Sequence, residues 1–272
     1  MEVTLQEHRG VLFYTCPTLS ELGFANGFST RVGGVSPAPW DSLNLGAGRG
    51  DDPERVSENI RRFCTAVGAD SAQLVKNKQV HGDTIRPVTK QDILTFPGEA
   101  GIVPADGLCT QETELALMVF SADCIPILLC DPKQRVCCAV HAGWRGTALG
   151  IAGKAAQQLQ TLFGCHPQDL LAVIGPGIST CCFEVHQDVP DGILEHFGSD
   201  ALPFIHPISN MEKYHVDLKG INQLSLRQAG LTETQIAVCP ACTACDEEHF
   251  WSHRRQGTQR GSQAAVIQTL PL

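Results

Sequence analysis

The sequence has no apolar run approaching the roughly 20 residues that a membrane-spanning helix needs. It is also poor in positive charge: 20 Lys and Arg stand against 29 Asp and Glu, a formal net charge of −9. Nucleic acids and anionic membranes select Lys/Arg-rich faces, so neither is an expected partner. The opening stretch Met1-Glu2-Val3-Thr4-Leu5-Gln6-Glu7-His8 has acid where a signal peptide carries base, and no apolar segment follows it. The expected location is therefore the cytoplasm. Repeats, low-complexity tracts and Ser/Pro-rich linkers are missing. So are the phosphate-binding glycine fingerprints G-x-G-x-x-G and G-x-x-x-x-G-K-[ST] between a strand and a helix. Cysteine, by contrast, is plentiful. Thirteen is an odd count, however, and Cys130, Cys137 and Cys138 lie inside apolar runs, where a free thiol acts as a small hydrophobe. A disulfide scaffold is not expected in a long chain kept in a reducing compartment.

Apolar residues make up 43% and charged residues 18% of 272 positions, an ordinary globular balance. Asp52-Pro53 opens a helix as N-cap and first-turn proline; Val56, Ile60, Phe63 and Val67 form its buried stripe and Gly68 ends it. Short apolar runs at Leu74–Val75, Leu115–Phe120, Ile125–Leu129, Val136–Val140 and Leu170–Ile174 predict strands, several buried on both faces. A helix is predicted over Thr147–Phe163, with Leu149, Ala152, Ala156, Leu159 and Leu162 inward and Gly164 as its stop. A second runs over Leu218–Ala229 between Asp217 and Gly230, and the tail returns to strand at Ile236–Val238 and Ala264–Ile267. Interleaved strands and helices with no linker predict one mixed α/β (α+β) domain over residues 1–272. The close succession of three strands in the middle argues against a doubly wound fold.

Three strand-like runs end in a ligand-type residue: His81 in Gln79-Val80-His81-Gly82, Cys124 in Ala122-Asp123-Cys124-Ile125-Pro126, and His141 in Val140-His141-Ala142-Gly143. Side chains at neighbouring strand ends can converge. Two imidazoles and a thiolate suit a borderline-soft ion such as zinc, and three protein ligands leave a position open for water or substrate. From spacing alone, each residue can equally be a separately satisfied histidine or cysteine.

These motifs, with Ala105-Asp106-Gly107, His141-Ala142-Gly143-Trp144-Arg145-Gly146, Ile174-Gly175-Pro176 and Phe250-Trp251-Ser252-His253-Arg254-Arg255, occur in an order that resembles the YfiH-like family. This family is also called the laccase-domain or polyphenol oxidoreductase family. Phe28-Ser29-Thr30-Arg31-Val32-Gly33-Gly34 and Ser42-Leu43-Asn44-Leu45-Gly46 extend the likeness to nearly the whole chain, while Cys181-Cys182 and Cys242-Thr243-Ala244-Cys245 look most like its animal branch. The resemblance implies mixed sheets packed together and flanked by helices, with one zinc ion on His81, Cys124 and His141. It also implies a purine nucleoside phosphorylase acting on adenosine, inosine and methylthioadenosine with phosphate, and adenosine deaminase activity. For deamination the metal would activate the water that attacks C6 of adenine. For phosphorolysis, Arg31 and Arg145 are the phosphate candidates, Arg145 aided by the helix N-terminus beside it, with Ser29 and Asn44 as further substrate contacts. Asp106 and Asp123 are candidate proton carriers or ribose ligands, or equally carboxylates that orient a ligand histidine. Trp40, in a loop with Pro37 and Pro39, and Trp144 are candidates for stacking on a purine.

Other readings stay open. Copper can occupy a Cys-His-His set, as a polyphenol oxidoreductase would require. However, the ten histidines form no His-x-His pair and Cys124 is not followed by the Met of a blue-copper loop. Cys124 with His141 and Asp106 or Asp123 could form a nucleophilic hydrolase, leaving His81 without a role. The cytidine-deaminase signature H-x-E…P-C-x-x-C is missing. Cys239, Cys242 and Cys245, followed by His249 and His253, resemble a zinc knuckle or iron–sulfur loop and are candidates for a second metal. A non-enzymatic, metal-stabilised scaffold that binds a protein partner is the remaining alternative.

Overall fold

The computed structural model describes residues 1–209 and 211–271. Two six-stranded sheets dominate it. In spatial order the first comprises Thr4–His8, Val11–Thr15, Phe24–Ser29, Gln263–Thr269, Ala116–Ser121 and Leu74–Lys76. The second comprises Ile236–Val238, Leu171–Ile174, Ile125–Asp131, Val136–Ala142, Gly107–Thr110 and Ile85–Pro87. A small third sheet, Glu184–Val185, Tyr214–Val216 and Ile205–Pro207, lies apart from both. Each large sheet mixes parallel with antiparallel pairs, as expected where some connections are hairpins and others crossovers.

The apolar runs are strands buried on both faces, and their period of two sorts the side chains between cores. In Ile125–Asp131, Leu128 and Cys130 face the first sheet together with Phe28, Leu117, Val119, Val173 and Ile267. Ile127 and Leu129 turn outward to the helix pair Ile151–Phe163 and Leu218–Gln228. On the far side of the first sheet, Phe13, Met118 and Val266 pack on Val56, Ile60 and Phe63 of helix Pro53–Val67. The result is four layers: helix, sheet, sheet, helices. This is the mixed α+β architecture that the interleaved elements predict.

Helix boundaries follow local chemistry. The Asp52 carboxylate accepts from the amide of Glu54, and Gly68 closes the helix with φ 80°, left-handed geometry that a side chain disfavours. The helix expected over Thr147–Phe163 is broken in two, Trp144–Ala148 and Ile151–Phe163. Gly150, at φ 73°, turns the chain between them; its amide donates to the Thr147 carbonyl, and its carbonyl accepts the Lys154 amide that starts the second helix and the Ser225 hydroxyl. The stripe is corrected accordingly: Ala152, Ala156 and Leu159 are buried, whereas Leu149 beside the break and Leu162 near the end are exposed. The strand hairpin Thr4–Thr15 was not anticipated, because its first strand is mostly polar and four of its five residues are exposed.

The inter-sheet core is the layer on which both sheets depend. Leu128→Ala, deep in it, is expected to lower unfolding free energy by about 2–5 kcal/mol through lost burial and a residual cavity. Urea denaturation followed by far-UV circular dichroism would measure this, with an unchanged m-value.

Candidate metal centre and substrate cleft

His81, Cys124 and His141 converge where the chain passes between the two large sheets. His81 lies on the link from edge strand Leu74–Lys76 of the first sheet to edge strand Ile85–Pro87 of the second. Cys124 ends the short turn from Ala116–Ser121 to Ile125–Asp131, and His141 is the penultimate residue of Val136–Ala142. Their ligand atoms all lie within 4.8 Å of one another. The imidazoles meet edge to face, with centroids 4.9 Å apart.

Asp106 joins two of the three. Its carboxylate accepts the successive amides of Val80 (3.2 Å), His81 (3.0 Å) and Gly82 (2.7 Å), which supports the left-handed φ of 61° at His81. The same carboxylate lies 2.8 Å from Nδ1 of His141, leaving that ring's Nε2 for a metal. Burial opposes the charge on Asp106, but the His141 contact and the amides outweigh it and hold the carboxyl below its ordinary range. Asp106 is thus placed to fix both the His81 loop and the His141 ring. Asp123 is similarly engaged: its oxygens accept the hydroxyls of Thr243 (2.7 Å) and Ser252 (2.9 Å) and the amide of Arg254 (2.7 Å). Those bonds hold its φ of 89° and so orient the turn that presents Cys124.

The donor set fits a metal. Burial alone would raise the Cys124 thiol, yet the imidazoles of His141 and His81 bring it below its ordinary value. Burial works against a charged His141, but Cys124 and Asp106 raise it. The pair thus leans toward thiolate and imidazolium, and a thiolate is the form that binds a soft ion. Gly143 keeps the space clear: a Cβ there would stand 2.9 Å from the His81 ring and 3.4 Å from the Cys124 sulfur.

A cleft of about 680 Å³ opens over the three residues. Its walls carry the aromatics Phe120, Trp144 and Phe183 and the cations Arg49, Lys76, Lys78, Arg145, Arg254 and Arg260. Arg260 is only 7% exposed, and its guanidinium donates solely to the Gly261 carbonyl and the Ser262 hydroxyl. Its Nε has no acceptor among the described residues. Burial and the neighbouring Arg49 lower its pKa to about 10. A buried cation without a carboxylate partner is an anion-binding group in waiting.

Several expected contacts fall elsewhere. Arg31 is turned from the cleft: it donates to the carbonyls of Asp41 and Glu247, pairs with the Asp41 carboxylate at 3.2 Å and lies over Trp251. Ser29 is buried in its sheet, accepting from the amide of Ala264. Asn44 is fully buried and braces the cleft wall from behind, accepting the amides of Gly46 and Ser262. Trp40 does not line the cleft; its indole donates to the Arg49 carbonyl. Arg145 and Trp144 do line it, the guanidinium 4.3 Å from the indole centroid. The helix there is only the five residues Trp144–Ala148, too short for the dipole assistance expected. Arg260, Arg49, Lys78 and Phe183 were missed. Nothing in the periodicity of the sequence distinguishes them; of the cleft cations not nominated, only Arg254 carried a signal, as part of the Phe250–Arg255 motif.

The comparisons agree with this geometry. A family model described as multi-copper polyphenol oxidoreductase laccase matches residues 25–270. The chain belongs to this family. The purine nucleoside phosphorylase YlmD of Geobacillus stearothermophilus is 37% identical over 98% of this chain and 97% of its own length. The human purine nucleoside phosphorylase LACC1 is 28% identical over 95% of this chain, which spans 59% of that protein. Identity is thus higher to the bacterial relative, although the cysteine motifs resemble the animal branch. Among solved structures, the YfiH hypothetical protein of Bacillus licheniformis superposes with a TM-score of 0.90 at 31% identity, covering 98% of this chain and 99% of that one. YlmD of G. stearothermophilus gives 0.87 at 36% identity over the full length of both. No helix among the described residues is long and apolar enough to cross a membrane.

Asp106→Asn removes the acceptor that fixes the His141 tautomer, and it is expected to weaken metal binding about 10–100-fold; competition with a chromophoric chelator would measure this. A second expectation concerns Lys76, which is 3% exposed and donates to the carbonyls of Pro97 (2.6 Å) and Glu99 (2.5 Å). Burial, against the pull of Glu99, depresses its pKa from 10.5 to about 8. Between those values the unfolded chain holds a proton that the folded chain has shed, so this residue's contribution favours folding increasingly as pH rises. The unfolding free energy of the wild type, minus that of Lys76→Met, is expected to grow by roughly 3 kcal/mol across the window.

Proposed function

We propose that the chain is a zinc-dependent purine nucleoside phosphorylase acting on adenosine, inosine and methylthioadenosine. The observation that carries this reading is the cleft itself, which joins a three-ligand metal centre, an unneutralised buried arginine and aromatic walls. Its volume of about 680 Å³ lies in the range of small-molecule sites. The names of the YlmD and LACC1 relatives supply the substrate class.

In phosphorolysis, a phosphate oxygen attacks C1′ of the ribose, the N-glycosidic bond breaks with its electron pair going to the base, and ribose 1-phosphate forms. Arg260 holds the phosphate, helped by Arg49 at the cleft mouth. Both face the substrate from a chain of net charge −9, so the cleft gathers an anion the rest of the surface repels. Trp144 and Phe183 offer π-faces to the purine. His81, Cys124 and His141 would hold zinc, which supplies Lewis acidity when bound. Asp106 keeps the His141 ring oriented throughout. Adenosine deamination is a second chemistry for the same centre, and the assay below distinguishes it by release of ammonia and inosine.

The family model's description favours a copper oxidase as the rival reading. A coupled copper cluster needs many imidazoles, whereas among the described residues the two clusters with metal-ligand geometry contain two histidines and none. In a Cys124–His141 hydrolase, His81 would have no part in the chemistry. A scaffold without catalysis gives no reason for a buried Arg260 that has no direct carboxylate pair among the described residues.

The test is to incubate the purified chain with each nucleoside and phosphate and to quantify free base and sugar 1-phosphate (ribose 1-phosphate, or 5-methylthioribose 1-phosphate from methylthioadenosine), with ammonia and inosine measured alongside for adenosine. His81→Ala and Cys124→Ala are expected to abolish product, and Arg260→Ala to raise the KM for phosphate about 10–100-fold, the loss of a charge-assisted contact. Product formation equal in wild type and the metal-ligand variants would overturn the reading.

A further inference from the structure

A second group of side chains with metal-ligand geometry lies outside the cleft. Cys181 and Cys182, from the turn before Phe183, meet Cys242 and Cys245, from the loop after strand Ile236–Val238, with all four sulfurs within 4.8 Å of one another. We propose that these four cysteines form a closed zinc site that clamps the two loops together behind the cleft wall.

Four sulfurs each about 2.3 Å from a central zinc are about 3.8 Å apart in a tetrahedron. The separations here are 3.8 Å for Cys181–Cys182, 3.5 Å for Cys181–Cys245 and 3.3 Å for Cys182–Cys245. All four are free thiols. The Ser179 amide donates to the Cys242 sulfur at 3.3 Å, the kind of contact that stabilises a ligating thiolate. The expected trio of Cys239, Cys242 and Cys245 is thereby corrected. Cys239 is buried, its amide paired to the Ile174 carbonyl, and Cys181 and Cys182 complete the set instead. His249 and His253 take no part, being bonded to Asp246 and to the Gly257 carbonyl.

A separate observation concerns charge. Lys219 is 6% exposed and has no carboxylate partner among the described residues. Its ammonium donates to the Ser179 hydroxyl (3.2 Å) and to the carbonyls of Cys239 (2.9 Å) and Ala241 (2.7 Å), the backbone that carries Cys242. Arg254 donates to the Cys182 carbonyl at 3.0 Å. Buried cations need compensating charge. When zinc binds, four thiol protons leave to solvent and the site carries two negative charges, which supplies it. The clamp would also tie down the cleft. Ile178 and Phe183 line the cleft on one loop, and Thr243 on the other holds Asp123 beside Cys124.

The test is zinc content by mass spectrometry, on protein loaded with Zn²⁺ and passed through a desalting column. Wild type is expected to hold about two ions per chain; His81→Ala/Cys124→Ala and Cys181→Ser/Cys245→Ser should each hold about one. If the cysteine variant does not fold, the first variant carries the test alone, because its cluster is intact. Loaded with Co²⁺ instead, that variant should show the thiolate charge-transfer and ligand-field bands of a tetrahedral four-sulfur site. Absence of metal from it would overturn the proposal, as would iron–sulfur absorption. So would a non-reducing mass about four units lower in anaerobically purified protein, the mark of two disulfides. None of these outcomes depends on nucleoside turnover, so failure here is separate from failure of the phosphorylase reading.

Discussion

The Asp106 carboxylate is the contact on which the metal centre depends. It stands at the start of strand Gly107–Thr110 in one sheet, yet it gathers three amides of the loop that leaves the other and also touches the imidazole of His141. One buried charge thus brings two of the candidate ligands, His81 and His141, from distant parts of the chain into register. The energetic logic is that of any buried carboxylate: removed from water, it must find donors, and the donors it finds are the segments that need placing. Asp123 repeats the device for Cys124, with donors from the C-terminal loops.

The cleft beside these carboxylates, which Asp123 lines, carries mostly the opposite sign. The chain is acidic overall, but six Lys and Arg side chains border the cleft, and Asp106 and Asp123 are saturated by hydrogen bonds. An anionic substrate therefore meets a positive opening in a negative surface. Arg260 is the most buried of the arginines there, with no salt-bridge partner and no acceptor for its Nε among the described residues. The aromatic walls around it suit a flat ring attached to such an anion-seeking reactant.

Much of the fold was legible because both large sheets are buried on each face. Runs such as Ile125–Leu129 and Val136–Val140 are apolar at every position, and the helix beginning at Asp52-Pro53 carries its own start and stop. The strand Thr4–His8 was not legible, since an exposed edge strand needs no apolar pattern. The helix break at Gly150 also escaped, because a glycine in a helical pattern reads as tolerated until the backbone is seen to reverse its φ.

By itself the sequence determined many of the strands and helices, through apolar period and caps, and nominated His81, Cys124 and His141, because ligand-type residues at strand ends form a recognisable pattern; the packing of sheets between helices came from the family resemblance. It also named Asp106, without deciding between proton carrier and orienting carboxylate. Only the tertiary structure shows which donors surround that side chain, the amides of Val80, His81 and Gly82 and the His141 ring, an arrangement that fits an orienting carboxylate. The same holds for exchanging Arg31 for Arg260 at the cleft and Cys239 for Cys181 and Cys182 in the cysteine cluster. Charge and ligand type are properties of a residue and can be read from a sequence. Whether a charge is already neutralised, or a thiol has three neighbours, is a property of segments far apart in the chain, and it exists only once they have packed.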